Sequence, residues 1–181
     1  MKKIFFALAG VFMASALFVS CGSTNLAGNN EWWHNSLKAD RIATTEFGEQ
    51  AIAAVGQSTL SATTAEKAAR ADGRAALAQR ISTVVKNRVK SKLGEENRDE
   101  AKESYDEDID LIANQVLSGS AQVDYYFEEK TGKTFVLMGL PLAGLDKNLQ
   151  SASMKTNNKV VREALNELTE EQLLEAFRQA D

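Results

Sequence analysis

Thr63–Leu93 reads TTAEKAARADGRAALAQRISTVVKNRVKSKL, and the rest of the chain is organised around it. The stretch holds no proline, and Leu77, Ile81, Val84, Val85 and Val89 recur at helical spacing, which predicts one long helix with an apolar face. Thr63 and Glu66 make the pattern of a capping box, with the threonine oxygen accepting a first-turn N–H and the glutamate reaching back. Gly94 follows the last periodic residue, where a left-handed terminator is expected. Gly73 costs about 1 kcal/mol against alanine in a helix interior, which a helix of this length absorbs. The apolar side of the first half is almost all alanine, and side chains that small let another backbone or a sheet come close.

Upstream, Ala51–Leu60 (AIAAVGQSTL) predicts a strand containing Ile52, Val55 and Gly56. A glycine inside a strand marks a bulge or a close backbone approach. Residues 35–50 are mixed and fit a short helix. Downstream, Tyr105, Ile109, Ile112 and Val116 recur at helical spacing and predict a second helix ending near Gly119. Ala121, Val123, Tyr125 and Phe127 alternate with Gln122, Asp124, Tyr126 and Glu128, the period of a half-buried strand. Lys130-Thr131-Gly132-Lys133 is the turn of a hairpin. Its second strand, Thr134–Leu140, is nearly continuous in apolar residues, so it is central or buried on both faces, and Pro141 ends it.

From Leu142 onward the pattern is helical. Asn157 or Asn158 caps a segment with Val160, Val161, Ala164, Leu165 and Leu168. Thr169 and Gln172 make a second capping box before Leu173, Leu174, Ala176 and Phe177. These helices either pack on the sheet or project as a partner-binding arm. The expected fold is α+β: a small antiparallel sheet, in the order strand-helix-helix-strand-strand, packed on a long helix, with C-terminal helices. Residues 41–145 form the α+β domain and 146–181 the C-terminal helical segment.

Across 181 residues the net charge is −4, which gives no general attraction to nucleic acid. The single cysteine excludes a disulfide within the chain. At the N-terminus Lys2 and Lys3 precede an uncharged run, Ile4–Ser20, and then Phe18-Val19-Ser20-Cys21-Gly22. This resembles a bacterial lipoprotein signal peptide over 1–20, with Cys21 as the lipidated residue, although Phe18 stands where leucine is usual. The resemblance implies two or three acyl chains on Cys21, enough for stable anchoring at about 0.8 kcal/mol per buried CH₂. Gly22 is not the aspartate of inner-membrane retention, which favours the outer membrane, with the domain facing the periplasm. Residues 21–40 read as the lipidated cysteine and its tether. Gly22–Asn30 is small and polar, as a flexible linker is. Trp32 and Trp33 interrupt the tether. They pin the entry of the chain onto the domain, or they touch the membrane surface or a partner.

Charge is segregated. Lys67 to Lys92 holds eight basic residues and one acidic, whereas Glu95 to Asp110 holds nine acidic and two basic. The two blocks face each other in an antiparallel helical hairpin, or the basic block faces a polyanion or lipid head groups. The hairpin is favoured, because the basic residues do not share one clean face and no aromatics interleave with them to stack bases. The same charge match between two copies would give a homodimer. Lys86, Arg88, Lys90 and Lys92, with Trp32 and Trp33, are the candidate partner contacts.

The order strand, alanine-rich helix, acidic helix, strand, strand behind such a leader resembles the LPP20 family of bacterial envelope lipoproteins. The residues that carry it are Ala54-Val55-Gly56, then Ala65, Ala68-Ala69-Arg70-Ala71, Ala75-Ala76-Leu77-Ala78 and Ile81, then Val123–Phe127 and Phe135–Pro141. The match spans roughly residues 45–145. It implies a curved antiparallel sheet wrapped on a long helix, and it brings no reaction and no catalytic residues. The residues themselves agree with a non-catalytic reading. His34 has no second histidine or cysteine to share a metal. Glu95 with Glu96, and Glu128 with Glu129, sit where exposed charge is the default. There is no glycine-rich phosphate loop. No cofactor is expected. The expected role is a structural or adaptor component of the envelope, with an unidentified protein partner. The alternative is a binding module for a polyanion or lipid through the basic helix and sheet.

Overall fold

The computed structural model describes residues 31–60, 62–93 and 102–180. The leader, Cys21, the linker 22–30, Gly94 and the acidic residues of 95–100 lie outside the described residues. A 3-10 turn, Trp32–His34, leads into α1 (Ser36–Phe47), β1 (Ala51–Ser58), α2 (Ala62–Leu93) and α3 (Lys102–Val116). A second 3-10 turn, Leu117–Gly119, precedes the hairpin of β2 (Ala121–Glu128) and β3 (Lys133–Pro141). Three helices close the chain: α4 (Leu145–Ser153), α5 (Lys159–Asn166) and α6 (Glu170–Ala180). The strands form one antiparallel sheet in the order β1-β3-β2, so the α+β expectation holds. β3 is central and buried from Thr134 to Leu140, as its apolar run requires.

Each face of the sheet has its own core. Ile52, Ala54, Val136, Met138 and Leu140 join Ala69, Leu77 and Ile81 of α2 on one face. Ala51, Ala53, Phe135 and Leu137 join Ala39 and Ala43 of α1, and Trp32, on the other. The long helix meets the sheet almost backbone to backbone. A Cβ placed on Gly56 would lie 1.9 Å from the Ala69 carbonyl oxygen and 2.1 Å from the Gly73 nitrogen. A Cβ on Gly73 would lie 2.8 Å from Met138 Cγ. The strand glycine and the helix glycine therefore answer each other, and the alanine face of α2 brings the two backbones together.

Beyond Ile81 the helix leaves the sheet. Val84, Val85 and Val89 share one core with Ile109, Ile112 and Val116 of α3 and with Val161, Leu165, Leu173 and Phe177 of the C-terminal helices. The C-terminal helices thus pack on α2 and α3 rather than on the sheet, and they do not project as an arm. Their local signals are present. Asn158 caps α5 by accepting the Val161 N–H, and Thr169 and Gln172 exchange the two bonds of a capping box at 3.3 Å each.

Three expectations change. The tether does not run to residue 40, because the turn at Trp32 and helix α1 are already folded; Asn35 caps α1 and Gly48, at φ +71°, ends it. Helix α2 begins at Ala62, ahead of Thr63, and Glu66 pairs forward with Arg70 at 2.8 Å. The alternation of β2 does not hold along its length, because a bulge between Gln122 and Asp124 shifts its register on β3. Beyond the bulge Tyr126 turns toward the α1 core, while Tyr125 and Phe127 are 39% and 46% exposed.

Gly56→Ala is expected to destabilise the fold by at least about 3 kcal/mol, since a backbone clash cannot be relieved by a rotamer change. Gly119→Ala, whose added methyl would meet Leu140 at an ordinary 3.6 Å, is expected to cost under about 1 kcal/mol. Urea titration of both variants checks the contrast.

Candidate functional site

Trp32 and Trp33 hold the first described residues to the sheet. Trp32 is buried, and its ring meets Trp33 edge-on with centroids 5.4 Å apart. Trp33 lies flat on Tyr126, with centroids 4.1 Å apart and planes 9° from parallel, and Phe135 lies beside the pair, 5.8 Å from Trp33 and 6.4 Å from Tyr126. His34 is exposed and borders this stack at 6.1 Å from Trp33. An aromatic stack of this kind contributes roughly 0.5–1.5 kcal/mol per pair beyond area burial. The pair therefore pins the chain. Trp32 is not a free partner contact, and Trp33 offers only its outer part.

A carboxylate sits against this aromatic layer. The Asp124 side chain accepts the Tyr125 N–H at 2.7 Å and the indole N–H of Trp32. Burial pushes its pKa above the ordinary aspartate range, and Glu46 of α1 pushes it the same way; the two N–H donors oppose the shift. Sequence reading did not single out Asp124, because only the bulge turns it toward Trp32.

The basic residues of α2 have separate destinations. Lys86 lies between Asp106 and Asp110 of α3, at 3.4 and 3.6 Å. This contact, with the Arg74 guanidinium donating to the Leu117 carbonyl at 3.3 Å, sets α2 and α3 antiparallel. The charge-matched hairpin exists, but among the described residues it rests on Lys86. Arg88 donates to the Ala164 carbonyl at 3.4 Å, and Lys92 pairs with Glu167. That pairing holds the Glu167 carboxyl below its usual range. Lys90 is half-buried on the same helix. Arg70 bonds Glu66 and Gln122, and Arg80 bonds Asp40. The α2 cations are consequently spread over several neighbours and do not line one strip.

Two hollows remain. A cleft of about 530 Å³ between α2 and α6 is lined by Arg88, Glu171, Leu174, Glu175 and Arg178, with balanced charge. A smaller one, about 160 Å³, lies between α3 and α4 around Gln115, Asn148 and Lys155. Among the described residues no three His, Cys, Asp or Glu side chains gather to hold a metal, and no helix is long and apolar enough to cross a membrane.

No protein-family model and no curated protein matches this chain.

Because the Asp124 pKa is raised in the fold above the ordinary aspartate value of 3.8, protonation favours the folded state. The stability that group contributes is present below pH 3.8 and is lost as the pH rises through the folded value. Asp124→Asn keeps an acceptor for both N–H groups and removes the charge. Its melting temperature at neutral pH should equal or exceed that of the wild type, with a flatter profile just above pH 3.8; a large drop at neutral pH would show that the charge itself holds Trp32.

Charge reversals on α2 should rank by partner. Lys86→Glu, facing two aspartates, should cost about 1 kcal/mol or slightly more, Lys92→Glu less, and Lys90→Glu close to nothing. Thermal melts at low and high salt check the order.

Proposed function

We propose that this chain is a lipid-anchored protein of the bacterial envelope, of the kind the LPP20 resemblance implies, with a non-catalytic structural or adaptor role. The observation that carries the reading is the sequence Lys2–Cys21, a basic pair, an uncharged apolar run and a lone cysteine followed by glycine. The structure adds support from the domain side. After a small polar linker the chain is gripped by Trp32 and Trp33 on the sheet, an arrangement suited to transmitting a membrane tether to the folded domain. The anchor would be on the outer membrane, facing the periplasm, and the partner a protein of the envelope. The dispersal of the α2 cations among Glu66, Asp40, Asp106, Asp110 and Glu167 favours this over the polyanion-binding alternative.

The test is the state of Cys21, which is the only cysteine. In the wild type, mass spectrometry should find the mature chain starting at Cys21 with acyl chains on it, and the protein should fractionate with membranes. Cys21→Ala should abolish both. A free, alkylatable Cys21 thiol in a chain that still carries residues 1–20 would overturn the proposal. Binding to anionic vesicles by the Cys21→Ala protein that falls steeply with salt would instead favour the polyanion reading.

A further inference from the structure

β1 is an edge strand, and it carries none of the features that usually discourage an edge from pairing with a foreign strand. Ala51–Ser58 has no charged residue and no proline, and its register on β3 is unbroken over all eight residues, without a bulge. Unbulged, neutral, apolar edges of this type are templates for strand addition. The other edge is different: β2 is bulged, holds Asp124 and Glu128, and has its Tyr125 N–H taken by the Asp124 side chain.

The outer rim of β1 is instead occupied by side chains delivered from the two helices on opposite faces of the sheet. Thr44 of α1 contacts both backbone polar groups of Ala51, accepting the N–H at 3.2 Å and donating to the carbonyl at 3.4 Å. Asp40 of α1 accepts the Ala53 N–H at 2.6 Å. Arg80 of α2 donates to the Ala53 carbonyl at 2.5 Å and to both Asp40 oxygens at 2.7 and 3.0 Å. Asp72 of α2 accepts the Gln57 N–H at 2.9 Å. The Arg80 guanidinium lies 5.9 Å from the centre of the Phe177 ring of α6, which backs it. Asp40 and Arg80 thus satisfy one edge residue in both directions and close α1 onto α2 around the rim of the sheet.

We propose that Thr44, Asp40, Arg80 and Asp72 form a guard that keeps a second copy of this chain from adding to the β1 edge, and that opening the guard converts the protein to a strand-paired dimer. The occupant is a second copy because an uncharged strand meets no like-charge repulsion when it pairs antiparallel with itself. This inference does not rest on the envelope reading. An ordinary packing role would predict only lower stability when the guard is removed, so the deciding readout is association.

The experiment measures molar mass by sedimentation for the full chain in neutral detergent over a hundredfold concentration range, with melting curves run in parallel. Asp40→Ala with Arg80→Met opens Ala53; Thr44→Val and Asp72→Ala, which remove the side-chain partners of Ala51 and Gln57, are milder single variants that keep the test alive if the double variant does not fold. The folded open variants should self-associate at least about tenfold more tightly than the wild type, a change of about 1.4 kcal/mol. Adding Gln57→Pro, which removes an outward N–H at an exposed edge position where proline is tolerated, should return them to the wild-type mass. Folded open variants that keep the wild-type mass at every concentration would overturn the proposal, as would association that Gln57→Pro leaves unchanged.

Discussion

The contact between Gly56 and the Ala69–Gly73 turn of α2 is the constraint on which the rest of the structure depends. Helix-on-sheet packing usually separates the two backbones by a layer of side chains. Here a Cβ at either glycine would collide with its neighbour, so the helix settles directly on the strand. That depth lets Leu77 and Ile81 reach the sheet core and then carries Val84, Val85 and Val89 past the sheet. The protruding half of α2 needs its own cover. α3, α5 and α6 supply it, and the C-terminal helices are therefore part of the main core.

The sheet divides the interior into unequal parts. The α2 side is large and aliphatic, built from long-range contacts among five helices and two strands. The α1 side is small, built of alanines and a few aromatic rings. Trp32 and Trp33 compensate for the thin alanine layer by filling the space beside Phe135 and Leu137. The Asp124 carboxylate is tolerated there because two N–H groups meet it, which offsets part of the cost of burying charge next to Glu46.

Much of this was legible in the sequence where the signal is local. The long helix, the central apolar strand Thr134–Leu140, the hairpin turn, and the caps at Asn158 and Thr169–Gln172 all depend on residues a few positions apart. The pairing of Gly56 with Gly73 was half legible: each glycine was out of place in its element, and the alanine face announced a close neighbour. The failures share a cause. A bulge adds one residue to β2 and reverses the faces beyond it, so Tyr125 and Phe127 point outward although their spacing is that of an inner face. Glu66 fitted a cap by pattern but lies within a helix that starts one residue earlier. Asp40 and Arg80 are forty positions apart, and nothing near either residue indicates that they meet at Ala53. The charge blocks did bring α2 beside α3, but they did not reveal that Arg88 and Lys92 turn to α5 and the residue that follows it.

The inequality of the two cores has a consequence for how the molecule breathes. Regions with little buried apolar area open at lower free energy than the global transition and do so as units. The α1 layer, with Trp32 and Trp33, is such a unit: it can lift from the sheet while α2, β3 and the C-terminal helices stay assembled. Amide exchange would then be layered, with α1 and the outer rim of β1 exchanging through this partial opening and β3 only through complete unfolding. A pull applied through the N-terminal segment would load that same layer first, so the part of the domain nearest the linker would yield before the rest.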